Sequence, residues 1–298
     1  MSPSPDQLNT TPSGVTTGGE TALRDSRSEL VTLASGIDHP ECVSWYEGAL
    51  YFGTESGHLF RISPGSNIPE LVASTGGFLL GLAFDETGAC IACDVGRGEV
   101  LRIQLTGDIE VIADSVQGRR LVSPNYPVVA SDGRIWVSES GSSWDADDGY
   151  LFCLKIGSAP QIADEECHLY PNGLALDERG GAFYVVEGRL PGVSRYSFDN
   201  GKLGSRTEYV RLPGTVPDGL ALDREGRLYI GCCRPDRIYV IEPDGALQVF
   251  LDDYTGEYLC TPTNLSFGGP QGRTLFIASL GGWSIKSIDV AIPGLAWG

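Results

Sequence analysis

Tyr170-Pro171-Asn172-Gly173-Leu174-Ala175-Leu176-Asp177 returns 46 residues later as Val216-Pro217-Asp218-Gly219-Leu220-Ala221-Leu222-Asp223. In both copies the third position is polar and an apolar run follows. A turn then closes the stretch, Asp-Glu-Arg-Gly-Gly at 177–181 and Asp-Arg-Glu-Gly-Arg at 223–227. A unit that recurs at a fixed period is the signature of a repeat architecture. Weaker copies place Glu41, Leu80, Asn125 and Thr263 in the polar slot, within 40–45, 79–85, 124–129 and 262–267. The slots at 41, 80, 125, 172, 218 and 263 are separated by 39, 45, 47, 46 and 45 residues. Six units of this length match the blades of a propeller.

Each unit has the same inner grammar. In the fifth, GLALD, LYIGCC, RIYVIE and ALQVFLDD are separated by Arg-Glu-Gly, Arg-Pro-Asp and Pro-Asp-Gly. Short β-branched and aromatic runs between turn residues are strand chemistry. The first unit supplies ALYFGTE, HLFRIS and PELVAS, and the second CIACD, EVLRIQL and IEVIAD. No segment sustains a 3.6-residue period. The expected fold is all-β, a six-bladed β-propeller of four-stranded blades. The sixth unit lacks a good fourth strand, because only AIPGLAWG follows SIKSIDV. The segment Glu29-Leu30-Val31-Thr32-Leu33-Ala34-Ser35-Gly36 resembles the fourth strands elsewhere. It is expected to complete the last blade and close the ring, leaving no long open edge.

The repeat therefore occupies 29–298, and residues 1–28 read as a disordered tail rich in Ser, Thr, Gly, Pro and Asp. That tail has neither the basic nor the apolar region of a secretory signal. No run approaches the ~20 apolar residues that span a bilayer. A cytoplasmic monomer with no membrane partner is the expectation. The net charge is −18, from 21 Lys and Arg against 39 Asp and Glu. That balance argues against nucleic acid, whose binding rests on basic neutralisation of phosphates. The eight cysteines do not form a disulfide framework by spacing. Cys90 and Cys93, three apart on one strand, point to opposite faces. All are expected to be buried thiols.

The slot opens the first strand of each unit, and the first strands of a propeller line its central channel. The register therefore gathers Glu41, Leu80, Asn125, Asn172, Asp218 and Thr263 in a ring at one mouth. Two carboxylates in a narrow channel repel unless something positive lies between them. Carboxylate and carboxamide oxygens suit a hard divalent cation. Glu41, Asn172 and Asp218 are expected to hold one metal, with Asn125 close enough to ligate it or to hold a substrate. Ca²⁺ is the first choice, with Zn²⁺, Mn²⁺ and Mg²⁺ as alternatives.

With HPECVSW around Glu41, SPNYPVVASDGRIWVSE around Asn125, PNGLALD, PDGLALD and the late Phe267-Gly268-Gly269, the chain resembles the SMP-30/gluconolactonase/LRE-like family of regucalcin-like lactonases. The resemblance covers about residues 29–298. It implies a six-bladed propeller with one catalytic divalent metal in the central channel. It implies that Glu41, Asn172 and Asp218 are metal ligands, that Asn125 contacts substrate or metal, and that Asp218 doubles as general base. Cys42-Val43 stands where the family often has Gly-Pro, and Tyr126 where it often has Asp.

If the first strand runs down from the mouth, the second returns to it. Glu55, Asp94, Glu139, Glu187, Arg234 and Ser279 are then expected at the rim. The loop 140–149 is long and carries Trp144, so it reads as a lid or substrate-contact loop. Tyr126, Glu139 and Trp144, with Asn125, are the expected substrate contacts. Asp218 or Glu139 would take a proton, and Asn125 would donate to the substrate or oxyanion. His39, two residues before Glu41, is a further acid–base candidate, while His58 and His168 read as structural. No G-x-S-x-G elbow and no phosphate-cradling glycine loop appears. The leading expectation is a metal-dependent hydrolase that opens a small-molecule lactone. The rivals are a phosphotriesterase-like hydrolase on the same metal and a non-catalytic propeller with a structural metal. A specialised ring-opening or rearrangement enzyme on the same fold is a further possibility.

Overall fold

The computed structural model describes residues 29–295, so the tail expected at 1–28 lies outside the described residues. Alternating apolar runs between tight turns give six antiparallel sheets of four strands, five of them simple meanders. The innermost strands are Pro40–Tyr46, Leu79–Phe84, Pro124–Val129, Pro171–Asp177, Pro217–Leu222 and Pro262–Gly268, in blades 1 to 6. Each packs against the next, and the last against the first, so they ring a common axis. In blade 6, Thr274–Ser279 and Ser284–Asp289 are followed outward by Val31–Ser35 from the chain start. The expected closure by an N-terminal strand is therefore what the fold shows. Among the described residues there is no α-helix and none long and apolar enough to cross a membrane. An extra two-stranded hairpin, Ser115–Val116 with Arg119–Arg120, sits in the connection between blades 2 and 3.

One apolar cluster fills each gap between neighbouring blades. The second strands are covered on both faces by these clusters. This is why Ala49–Thr54, Cys90–Asp94 and Ala182–Glu187 are buried at every position. Cys90 belongs to the gap between blades 1 and 2 and Cys93 to the gap between blades 2 and 3. Their opposite facing is what an extended strand dictates. All eight cysteines are free thiols.

The feature that positions the site is a bulge. Each inner strand shifts register at its first turn, in a step that contains the slot residue. A bulge leaves the extra residue out of the ladder and re-aims its side chain. The position after the slot is glycine in blades 2, 4 and 5. A Cβ on Gly81, Gly173 or Gly219 would overlap the carbonyl oxygen of Asn125, Asp218 or Thr263, each the slot residue of the next blade. Backbone thus touches backbone around the ring at the level of the slots. On the far side of the ring the chain end docks beneath blade 5, where Leu295 N–H donates to Leu222 O at 2.8 Å.

Gly173→Ala is expected to force the strands of blades 4 and 5 apart at the slot. Overpacking of this kind costs about 1–3 kcal/mol. The urea midpoint should fall, and affinity for the expected divalent cation should fall with it because Asn172 and Asp218 lie on either side of the contact. An unchanged midpoint with unchanged affinity would refute the close-contact reading.

Candidate metal centre

The residues before each slot set its entry angle. His39, Tyr170 and Thr261, each two positions ahead of a slot, hold positive φ of 35°, 61° and 63°. Such a backbone is uncommon for non-glycine residues and strained for a β-branched one. It is held by the same bond in all three blades. Glu55 N–H donates to His39 O (3.2 Å), Gly188 N–H to Tyr170 O (3.0 Å), and Leu280 N–H to Thr261 O (3.1 Å).

At the axis the fold brings Glu41, Asn172 and Asp218 together. Asn172 donates a side-chain hydrogen bond to the Asp218 carboxylate. Glu41 feels the charge of Asp218, and no basic group offsets either carboxyl. Burial, joined for Glu41 by repulsion from Asp218, pushes both carboxyls above the usual range. Glu41 Oε2 is buried without a hydrogen-bond partner in the protein, while its backbone carbonyl accepts from Thr263 Oγ1 at 2.9 Å. Asn125 is buried, and its amide donates to Ser140 Oγ at 3.0 Å. Ser140 in turn donates to Pro171 O at 2.7 Å. Ser138 donates to Asn172 O at 2.7 Å and accepts from Tyr126 N–H at 3.1 Å. The Ser-x-Ser of 138–140 thus latches blade 3 to the ligand-bearing strand of blade 4. Its alternation was visible in the sequence, but its partners were not.

Two close carboxylates without a counter-charge, one free carboxylate oxygen and two carboxamides fit a hard divalent cation. An uncompensated buried charge is costly, and a cation between the two carboxylates removes the repulsion. Leu80 offers no ligand atom, while the Thr263 hydroxyl donates to the Glu41 backbone carbonyl and also lies against its carboxyl, whose pKa it lowers.

Tyr126 is not a rim residue. It is buried, and its hydroxyl comes to 3.5 Å from Asn264 Oδ1 in blade 6, the blade opposite. The Tyr126 side chain therefore reaches across the ring from blade 3 to blade 6. The rim assignment needs correction at four further positions. Asp94, Glu139, Glu187 and Ser279 are buried in the blades, where they bind loop backbone or a neighbouring side chain. Asp94 Oδ1 accepts from Phe78 N–H at 2.8 Å. Glu139 Oε1 accepts from Ser123 N–H at 2.6 Å and Val122 N–H at 3.3 Å. Glu187 pairs with Arg206 and Ser194, and Ser279 donates to Leu259 O at 2.6 Å. Short polar side chains at strand ends satisfy connecting backbone, which would otherwise be buried unpaired.

Glu55 is at the lip. His39 Nδ1 lies 3.0 Å from Asp38 Oδ1 and 2.9 Å from Glu55 Oε2, and the imidazole packs edge-on against Trp283. The three side chains form a partly exposed donor cluster beside, not within, the axial set. Trp144 leans on Tyr170 with ring centroids 4.8 Å apart, and its loop is clamped by Arg189. The guanidinium donates to Ala146 O at 3.1 Å and pairs with Asp147. Tyr170, which the repeat contained but no pattern singled out, feels the charge of Asp218 and Glu41. Tyr170 and Trp144 make an aromatic wall beside Asp218 and Glu41.

A model of the SMP-30/gluconolactonase/LRE-like region matches residues 39–281. The chain belongs to this family. It is 27% identical over 259 residues to a gluconolactonase of Zymomonas mobilis, across 78% of this chain and 67% of that protein. It is 27% identical over 260 residues to a 6-deoxy-6-sulfogluconolactonase of Pseudomonas putida, across 80% and 82% of the two chains. A solved gluconolactonase from Xanthomonas campestris superposes with a TM-score of 0.75 over 89% of each chain, at 23% identity. That likeness shows the propeller fold.

Glu139 supplies a pH test. Burial lifts its carboxyl from an ordinary 4.5 to about 7, against the pull of three backbone N–H bonds. Below pH 4.5 the group is protonated whether folded or not. Between 4.5 and about 7 the unfolded chain loses the proton and the folded chain keeps it, so stability falls as pH rises. Glu139→Gln should remove that decline. Its urea stability should equal the parent near pH 4.5 and exceed it by about 1–3 kcal/mol at pH 8. Parallel curves for the two proteins would rule the reading out.

Proposed function

We propose that the protein is a metal-dependent lactonase whose divalent cation is held on the axis by Glu41, Asn172 and Asp218, with Asn125 beside them. The observation that carries this is the carboxylate pair without a counter-charge, one of its oxygens unpartnered. The lactonase relatives support the reaction class. An all-oxygen donor set favours Ca²⁺ over Zn²⁺, which prefers nitrogen and sulfur.

When bound, the cation supplies polarisation of the ester carbonyl and acidification of water. Asp218 is the carboxylate placed to take a proton from the attacking water. The water oxygen bonds to the carbonyl carbon, the ring C–O bond breaks, and the leaving oxygen takes up a proton to give a hydroxy acid. One N–H of Asn125 is spent on Ser140. Its second N–H and its oxygen remain to orient the substrate carbonyl and the developing charge. Tyr126 reaches Asn264 across the ring, and substrate is expected to enter and product to leave by the mouth. Tyr170 and the half-exposed Trp144 offer an aromatic face to the less polar side of a lactone ring. Glu139, held by the backbone of Val122 and Ser123, takes no part in this step.

The test is chelation followed by separate return of Ca²⁺, Mn²⁺, Mg²⁺ and Zn²⁺, with a sugar δ-lactone assayed beside a phosphotriester. Lactone opening should return with Ca²⁺, and Glu41→Gln or Asp218→Asn should lower kcat/KM by about 10²–10⁴-fold. Stoichiometric metal binding without turnover of any substrate would leave a structural metal in its place. Turnover of the phosphotriester alone would assign the site to that chemistry.

A further inference from the structure

Blade 2 departs from the other five at the mouth. Phe78 stands two positions before its slot, Leu80 in the slot, and Val95 just past the end of its second strand. The bond that ties Glu55 to His39 in blade 1 recurs here, with Val95 N–H donating to Phe78 O at 2.9 Å. Phe78, Leu80 and Val95 therefore stand where blade 1 has His39, Glu41 and Glu55. In every other blade the slot residue is polar.

The fold does not bury these three side chains in its core. Each is half-buried. Leu79 and Leu82, on the same inner strand as Leu80, lie in the gap between blades 1 and 2. Of the six inter-blade clusters among the described residues, none takes in Phe78, Leu80 or Val95. Leu80 sits in the bulge between Leu79 and Gly81, and an inner-strand side chain that enters neither gap is left with the axis. Beside them Gly77 and Gly96 touch backbone to backbone, since a Cβ on Gly96 would come within 2.8 Å of Gly77 C. Neither position has a side chain to close the sector off from the mouth. Arg97, just beyond, is turned to Glu99 at 2.6 Å and to Thr75 O at 3.1 Å.

Apolar surface left outside every core is stabilised by whatever removes it from water. Blade 2 lies between Glu41 of blade 1 and Asn125 of blade 3, and it faces Asp218 of blade 5 across the ring. An ester held at Glu41, Asn172 and Asp218 therefore borders this sector. Sugar hydroxyls laid against it would lose water without gaining a partner. We propose that Phe78, Leu80 and Val95 form the subsite for the ring substituent, and that the substrate is a lactone carrying an alkyl group there, not a fully hydroxylated one. The inference rests on the lactonase reading and narrows it.

Steady-state kinetics of the calcium-loaded full chain on δ-valerolactone, δ-hexanolactone, δ-octanolactone and D-glucono-δ-lactone test it. Along the three alkyl lactones kcat/KM should rise about three-fold per added methylene, mainly through KM. δ-Octanolactone should be turned over in preference to D-glucono-δ-lactone. Leu80→Asn should flatten the alkyl series and shift preference toward D-glucono-δ-lactone. Val95→Thr, close in shape to the parent side chain, should reduce the slope in the same direction and carries the test if Leu80→Asn does not fold. Melting temperatures check both variants. A merely structural role would lower the rate on every substrate alike and keep the slope, and that outcome would overturn the proposal. So would a flat alkyl series in the parent, or its preference for D-glucono-δ-lactone over every alkyl lactone, with the lactonase reading left intact. Turnover of no lactone at all would remove the lactonase reading and this inference with it.

Discussion

Six inner strands converge on one axis, and there is too little room there for side chains between every pair. The fold meets this constraint by letting backbone touch backbone at Gly81, Gly173 and Gly219. The bulge beside each contact does the complementary task. In a regular strand side chains alternate strictly between faces, so each residue would point into one inter-blade gap or the other. The extra residue in the bulge escapes that alternation and turns to the axis. The Pro-Asn-Gly and Pro-Asp-Gly turns thus combine two needs in three residues: a donor on the axis and a close approach beside it.

Convergence has an electrostatic cost, and the molecule meets it differently at different depths. Glu187 is as deeply buried as any carboxylate here, and Arg206 and Ser194 answer it. Asp223 is buried against Arg227 at 2.6 Å. Asp94 has no arginine beside its buried carboxylate, but the N–H groups of Phe78 and Arg97 supply partial charge. Glu41 and Asp218 have none of these. Glu139 also lacks a counter-charge, but it stands alone and takes three backbone N–H bonds; Glu41 is raised by a second buried carboxylate, Asp218, with no basic group beside either, which directs the compensation to something from outside. That contrast between neighbouring acids weighs more than the presence of carboxylates in a channel.

The sequence made the ring legible because a period of about 45 residues survives drift in any one strand. It also made the axial set legible, since Glu41, Asn125, Asn172 and Asp218 share one register position. What it concealed depends on radial depth. Asp94, Glu139 and Ser279 end their strands at the expected face, yet their side chains turn inward to loop backbone that no pattern advertises. Tyr126 occupies a position that is glycine in three other blades. Its role follows from reaching Asn264 on the opposite side of the ring, a contact 138 residues distant. The hairpin at 115–120 is two residues a side, shorter than any periodicity can register.

The rigid ring also limits where substrate choice can reside. A donor set clamped by bulges and backbone contacts has little freedom to adapt, so a single axial centre can serve different ligands only through the side chains and loops around it. Blade 3 contributes disproportionately here. Its 140–149 loop presents Trp144 toward Tyr170 on one side and Asp147 and Asp148 toward an off-axis cavity on the other. Arg189 ties that loop to blade 4 through Asp147 and Ala146.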